Sequence, residues 1–145
     1  MNWLYRNKIL TKIPDEAHSF VYKITNKENG KIYIGKKHFY SMRTKRVIIN
    51  GKVKKKKVVK ESDWKKYFGS CEALKQDVKE LGPENFHREI LHLCTNRGSA
   101  SYYELVEQVK HKVLEKENCY NGHINIHIHR KHIQRPMILR QKDIR

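Results

Sequence analysis

SFVYKITNKENGKIYIGKK, residues 19–37, holds two β-prone runs separated by a turn-rich pentapeptide. Phe20, Tyr22 and Ile24 alternate with Val21 and Lys23, the period-two pattern of a strand. Asn26-Lys27-Glu28-Asn29-Gly30 supplies turn residues, with Gly30 suited to a positive φ. Lys31-Ile32-Tyr33-Ile34 then returns as a second strand. This hairpin brings two phenols, Tyr22 and Tyr33, near each other across the ladder. Gly35 is expected to end the second strand and let the backbone pass close to whatever the tyrosines face.

On the C-terminal side of the hairpin, residues 37–60 are rich in Lys and Arg and contain no Asp or Glu. Within them RVIINGKVK sets Asn50-Gly51 between two β-prone pieces, which predicts a basic β-ribbon or flexible loop over residues 43–60. One-signed charge favours contact with phosphates over mere solubility. Ser70 suits the N-cap of a helix over Cys71–Leu81, with Leu74, Val78 and Leu81 on one face and Gly82-Pro83 as the stop. Phe86–Leu93 reads as a strand with Phe86, Arg88, Ile90 and His92 on one face. Ser99 or Ser101 could cap a further helix from about Ala100 to Leu114, its stripe formed by Tyr102, Val106, Val109 and Val113. HINIHIHRKHI, residues 123–133, alternates like a final strand. The order β, β, basic insertion, α, β, α predicts an α+β fold with a short mixed or antiparallel sheet flanked by helices. Residues 1–18 read as an irregular arm that can dock through Trp3, Leu4 and Tyr5, residues 19–129 as the folded domain, and residues 130–145 as a basic tail.

The net charge is +17 and the pI about 9.9. A field of that strength attracts polyanions, nucleic acid first among them. No apolar run approaches the roughly 20 residues that span a bilayer, and Met1-Asn2-Trp3-Leu4 does not open a signal peptide. The expectation is a soluble intracellular chain. Cys71, Cys94 and Cys119 are odd in number and widely spaced, which fits core thiols in a reducing compartment. His123, His127 and His129 would share a strand face. With no cysteine pair nearby, that face suits solvent or DNA better than structural zinc.

The hairpin resembles the signature of the GIY-YIG nuclease family, with Phe20-Val21-Tyr22 in the place of GIY and Tyr33-Ile34-Gly35 as an intact YIG. The downstream pattern WKKYFGS…L…LGPENFHREIL…SYYE…Q…YN is similar to stand-alone phage members of that family, so the likeness spans roughly residues 19–121. It implies a small GIY-YIG-like domain and a one-metal phosphodiesterase acting on double-stranded DNA in the cytoplasm of a bacterial or phage-infected cell. One Mg²⁺ or Mn²⁺ per site is implied; a monomer and a homodimer both fit.

The same resemblance assigns roles. Tyr22 and Tyr33 would handle protons and position water, and a carboxylate on the second helix would hold the cation. SYYE…Q favours Glu104, with Gln108 one turn on in support, while the spacing back from Tyr120-Asn121 fits Glu107. Arg43, eight residues beyond Gly35, matches the family's arginine; Arg46 or a lysine could take that place. His38 resembles an extra proton-handling residue, and Asn121 matches a late asparagine that supports the site. Physically, a free phenol with a pKa near ~10 is a poor base at pH 7, and becomes credible only beside cations such as Lys36 and Lys37 and a metal. Arg46, Lys52, Lys54, Lys55, Lys56, Lys57, Lys60, Lys65 and Lys66 would contact DNA. The competing reading is a nucleic-acid-binding protein of the same fold without activity. A helix carboxylate facing the tyrosines speaks against it, because such a group repels phosphate.

Overall fold

The computed structural model describes residues 2–144 of the chain. A five-stranded mixed sheet runs β2-β1-β7-β3-β4. Its strands are β1 (Trp3–Tyr5), β2 (Lys8–Leu10), β3 (Ser19–Asn26), β4 (Ile32–His38) and β7 (Phe86–Cys94). All neighbours are antiparallel except β1 and β7. A separate two-stranded ribbon pairs β5 (Tyr40–Ile49) with β6 (Lys52–Glu61), and the helices are α1 (Glu72–Leu81) and α2 (Arg97–Lys110). This is the α+β architecture expected.

β3 lies inside the sheet, which explains its unbroken burial: Phe20, Val21, Tyr22 and Ile24 are all closed to solvent. One face packs Trp3, Phe20, Tyr22 and Ile90 against Trp64 and Leu74 of α1, the other packs Val21, Ile34 and Cys94 against Ala100 and Val113. Val78 and Leu81 join Leu74 on the first face, as their spacing predicted.

The described part of the expected arm is sheet. β1 and β2 form a hairpin, Trp3 and Tyr5 are buried, and the Trp3 indole N–H donates to the Trp64 carbonyl at 2.6 Å. The ribbon is a hairpin as predicted, with Asn50 (φ 53°) and Gly51 (φ 76°) both left-handed, the signature of a type I′ turn.

Several local expectations are corrected. Gly35 lies within β4 and does not end it. Ser70 caps nothing, since the N-cap is Cys71 without a side-chain bond. β7 carries an extra residue opposite the Val21–Tyr22 step, so Tyr22 pairs with Ile90 and Val21 with His92. That bulge turns His92 away from Phe86, Arg88 and Ile90 and toward α2. α2 begins at Arg97, capped by the Asn96 side chain, which accepts from the Ser99 N–H at 2.7 Å. Its expected apolar stripe points outward at Tyr102, Val106 and Val109, while Ala100, Glu107 and Gln108 are the buried side. The expected strand over residues 123–133 does not form. A strand needs an open edge to pair with, and the outer edge of β4 is already occupied, as described next.

Candidate active site

β4 is an edge strand, and alternate residues turn their backbone groups outward. Ile32 is closed by chain: its N–H donates to Asn118 O at 3.0 Å, and its carbonyl accepts from the Tyr120 N–H at 2.7 Å. At Ile34 the Asn121 amide substitutes for a strand, accepting from the backbone N–H at 3.0 Å and donating to the carbonyl at 2.8 Å. Gln108 reaches the same carbonyl at 3.4 Å. Next along the edge is Lys36, whose charge and backbone N–H favour the ionised carboxylate of Glu104. One residue after another, the edge presents a backbone clasp, an amide and an acid.

These groups line a cleft of about 370 Å³ that includes Tyr33, Ser70, Glu104, Gln108, Asn121 and His123. The Tyr33 hydroxyl is 3.1 Å from Ser70 Oγ. Tyr22 lies behind it, 1 % exposed, with the two rings 6.1 Å apart, and meets the Tyr67 ring edge-on at 6.0 Å. Gly35 makes this stacking possible, because a Cβ there would sit 2.5 Å from the Tyr22 hydroxyl.

Burial pushes the Tyr22 phenol well above its ordinary value, and the neighbouring phenols Tyr67 and Tyr33 push the same way. Burial also raises Tyr33, against the opposing bond from Ser70. Both are therefore neutral phenols at pH 7 in the free protein. Glu104 is likewise raised by burial, with Lys36 pulling it back through its charge and its N–H. No Lys, Arg or His among the described residues forms an ion pair with it.

Glu107 has a different environment. Its carboxylate is 2.8 Å from His92 Nε2 and 3.3 Å from His111 Nδ1, and it is 6 % exposed. It fastens α2 to β7. Glu104, not Glu107, faces the Tyr33 cleft.

Arg43 and Arg46 do not join this cleft. They lie in the ribbon, opposite Val58 and Lys55 respectively, together with Lys52, Lys54, Lys56, Lys57 and Lys60. The sequence there alternates like a strand and lacks helical period, so Arg43, matched by spacing to the family's arginine, is carried out on β5. His38 lines another cleft, 4.9 Å from the His18 ring. Lys37 pairs with Asp63 at 2.7 Å and lies 4.2 Å over the Tyr67 ring, while Lys36 Nζ donates to Ser101 Oγ at 2.5 Å. Lys65 and Lys66 are exposed on a short 3-10 turn. Tyr67, Ser70 and His123 belong to the site region without having been singled out for it; the phrase YFGS already held two of them. Among the described residues no group of three or more His, Cys, Asp or Glu gathers as a metal cage.

A hairpin with one strand at the sheet edge and two tyrosines packed against each other, with a glutamate delivered from a helix, defines the GIY-YIG class of domain. The chain matches the family described as "Putative endonuclease segE, GIY-YIG domain" over residues 3–125, and it belongs to that family. No curated protein and no solved structure matches it. No helix among the described residues is long and apolar enough to cross a membrane.

Proposed function

We propose that this protein is a metal-dependent endonuclease that hydrolyses phosphodiester bonds of double-stranded DNA at the Tyr33–Glu104 cleft. The observation that carries the reading is that the one half-buried carboxylate of α2 without an ion-pair partner opens into the same cleft as the hydroxyl of Tyr33. The donor chemistry fits a hard divalent cation: one carboxylate, with the remaining positions left to phosphate and water, as is usual for Mg²⁺. Bound at Glu104, Mg²⁺ or Mn²⁺ would supply charge neutralisation at the scissile phosphate and Lewis acidity.

The chain's own residues supply the rest. The Tyr33 hydroxyl, held by Ser70, orients the attacking water and relays its proton. In the net reaction the water oxygen bonds to phosphorus, the bond to the leaving oxygen breaks, and that oxygen takes a proton. Tyr22 and Tyr67 hold Tyr33 from behind and keep bulk water out. Lys36 and Lys37 add positive charge on either face of β4. Asn121 and Gln108 fix the strand edge so that Glu104 stays aimed.

The alternative, a DNA-binding protein without activity, is favoured by one observation: among the described residues no arginine lines the cleft. The experiment that decides is incubation of a labelled duplex with Mg²⁺, Mn²⁺ or EDTA. Cleavage that stops in EDTA and returns on adding Mg²⁺ is expected. Retarded but intact duplex under every condition would establish the alternative.

A further inference from the structure

A second cleft of about 450 Å³ lies beside the first, between the end of β4, the base of the ribbon and the start of α2. Five basic side chains line it, His18, Lys36, Lys37, His38 and Arg97, and no carboxylate does. The two imidazole centroids lie 4.9 Å apart, with the rings tilted 58° to each other. His18 is anchored through its backbone N–H to Cys94 O at 2.8 Å and through its carbonyl to the Phe39 N–H at 3.0 Å. The His38 carbonyl is fixed by the Ser62 hydroxyl at 2.6 Å. Lys37 is paired with Asp63, so Lys36 and Arg97 bring the uncompensated positive charge that an entering anion meets.

We propose that this cleft is a second phosphate site, which holds a backbone phosphate of the DNA next to the scissile one. The inference rests on the hydrolytic reading above for what it calls scissile, but the binding chemistry stands without it. Lys36 connects the two sites: its charge and backbone N–H favour the ionised Glu104 carboxylate, and its side chain lines the second cleft. Lys36, which meets Glu104, and His38 are two strand residues apart, roughly 7 Å along β4. On the other side Tyr40, Ser41 and Met42 at the base of the ribbon line the cleft, and period-two alternation puts Ser41 on the same ribbon face as Arg43, Lys45, Lys54, Lys56 and Lys60. A DNA strand crossing the protein therefore passes from the Tyr33–Glu104 cleft over Lys36 into the second cleft and onto the cationic face of the ribbon.

The neutral state of the imidazoles agrees. Burial and the neighbouring cations, Arg97 on both and also Lys36 and Lys37 on His38, hold the two rings below their ordinary value, His38 at about 4. A phosphate placed among them opposes the share of the shift due to the cations and raises both.

Arg97 is exposed, so its replacement leaves the fold intact. The test measures affinity of the full chain for a short duplex in EDTA, across a range of salt, for wild type, Arg97→Gln, Arg97→Lys and Lys79→Gln as a surface control. Arg97→Gln should weaken binding about fivefold and lower the slope of log K against log salt by about 1, with Arg97→Lys restoring both. In parallel, inorganic phosphate should raise the NMR-measured pKa of the His18 and His38 rings. Unchanged affinity and slope in Arg97→Gln, with imidazoles indifferent to phosphate, would overturn the second site. DNA that is bound through Arg97 but never cut would overturn only the hydrolytic reading.

Discussion

The hydroxyl of Tyr22 lies where the side chain of residue 35 would begin: a Cβ on Gly35 would stand 2.5 Å from that oxygen and 2.7 Å from Cζ. The glycine of the hairpin is thus a steric complement to the first tyrosine, and needs no unusual backbone angle to be required. Gly35→Ala should cost about 2 kcal/mol of stability through overpacking and displace Tyr22 from beneath Tyr33. Chemical denaturation and a cleavage assay would read the two effects together.

Removing the phenol itself separates chemistry from packing. Tyr33→Phe keeps the ring on Gly69 and removes only the hydroxyl that meets Ser70. Cleavage should fall at least ~100-fold, the usual scale for lost proton handling, with duplex affinity unchanged by gel retardation.

The two glutamates of α2 should behave oppositely. Burial raises the Glu104 carboxyl, so in the folded protein it holds its proton to higher pH than in the unfolded chain. The cost of that ionised group is present at neutral pH and vanishes as pH falls below the ordinary carboxylate value. Glu104→Gln should therefore raise the melting temperature at pH 7. In wild type, cleavage should decline on acidification at a pH above the ordinary carboxylate range. Glu107→Ala leaves His92 and His111 without their acceptor and should cost about 2 kcal/mol.

His38 gives a stability signature of its own. Its pKa is depressed to about 4 from an ordinary 6.5, burial being the larger cause. The unfolded chain thus binds the proton first as pH drops. Stability should be full above pH 6.5 and fall as the pH descends toward about 4. Thermal melts of His38→Asn across that window should show a flatter profile.

The ribbon sets like charges directly opposite one another, Lys45 against Lys56 and Arg46 against Lys55, which is unfavourable in an isolated two-stranded sheet. Bound phosphates offset that repulsion. Replacing Lys54, Lys55, Lys56 and Lys57 by Gln should weaken binding to all duplexes alike. The salt slope should fall by as much as ~0.9 for each phosphate that is no longer neutralised.

How much of this is legible in the sequence follows from where local pattern decides structure. The β3–β4 hairpin, the Asn50-Gly51 ribbon and the buried face of α1 can be read because turn chemistry and periodicity dictate them. Of the expected apolar stripe, Val113, just beyond α2, is buried, while Tyr102, Val106 and Val109 face outward because the helix turns Glu104, Glu107 and Gln108 inward. A helix that delivers polar groups to a site inverts the hydrophobic signal. His92 departs from its expected face because a bulge changes parity and leaves no mark in composition. Arg43 matches a spacing, but the strand pattern of its own segment takes it into the ribbon. The closing of the β4 edge by Asn121 is a long-range pairing that no local pattern encodes.

Nicking of supercoiled plasmid reads directly whether Glu104 and Tyr33 act as one hydrolytic site. Wild type, Glu104→Gln and Glu107→Gln would be compared in Mg²⁺ and in EDTA. Metal-dependent relaxation or linearisation is expected from wild type and from Glu107→Gln, and none from Glu104→Gln despite undiminished folding. Cutting by Glu104→Gln at the wild-type rate would contradict a shared site.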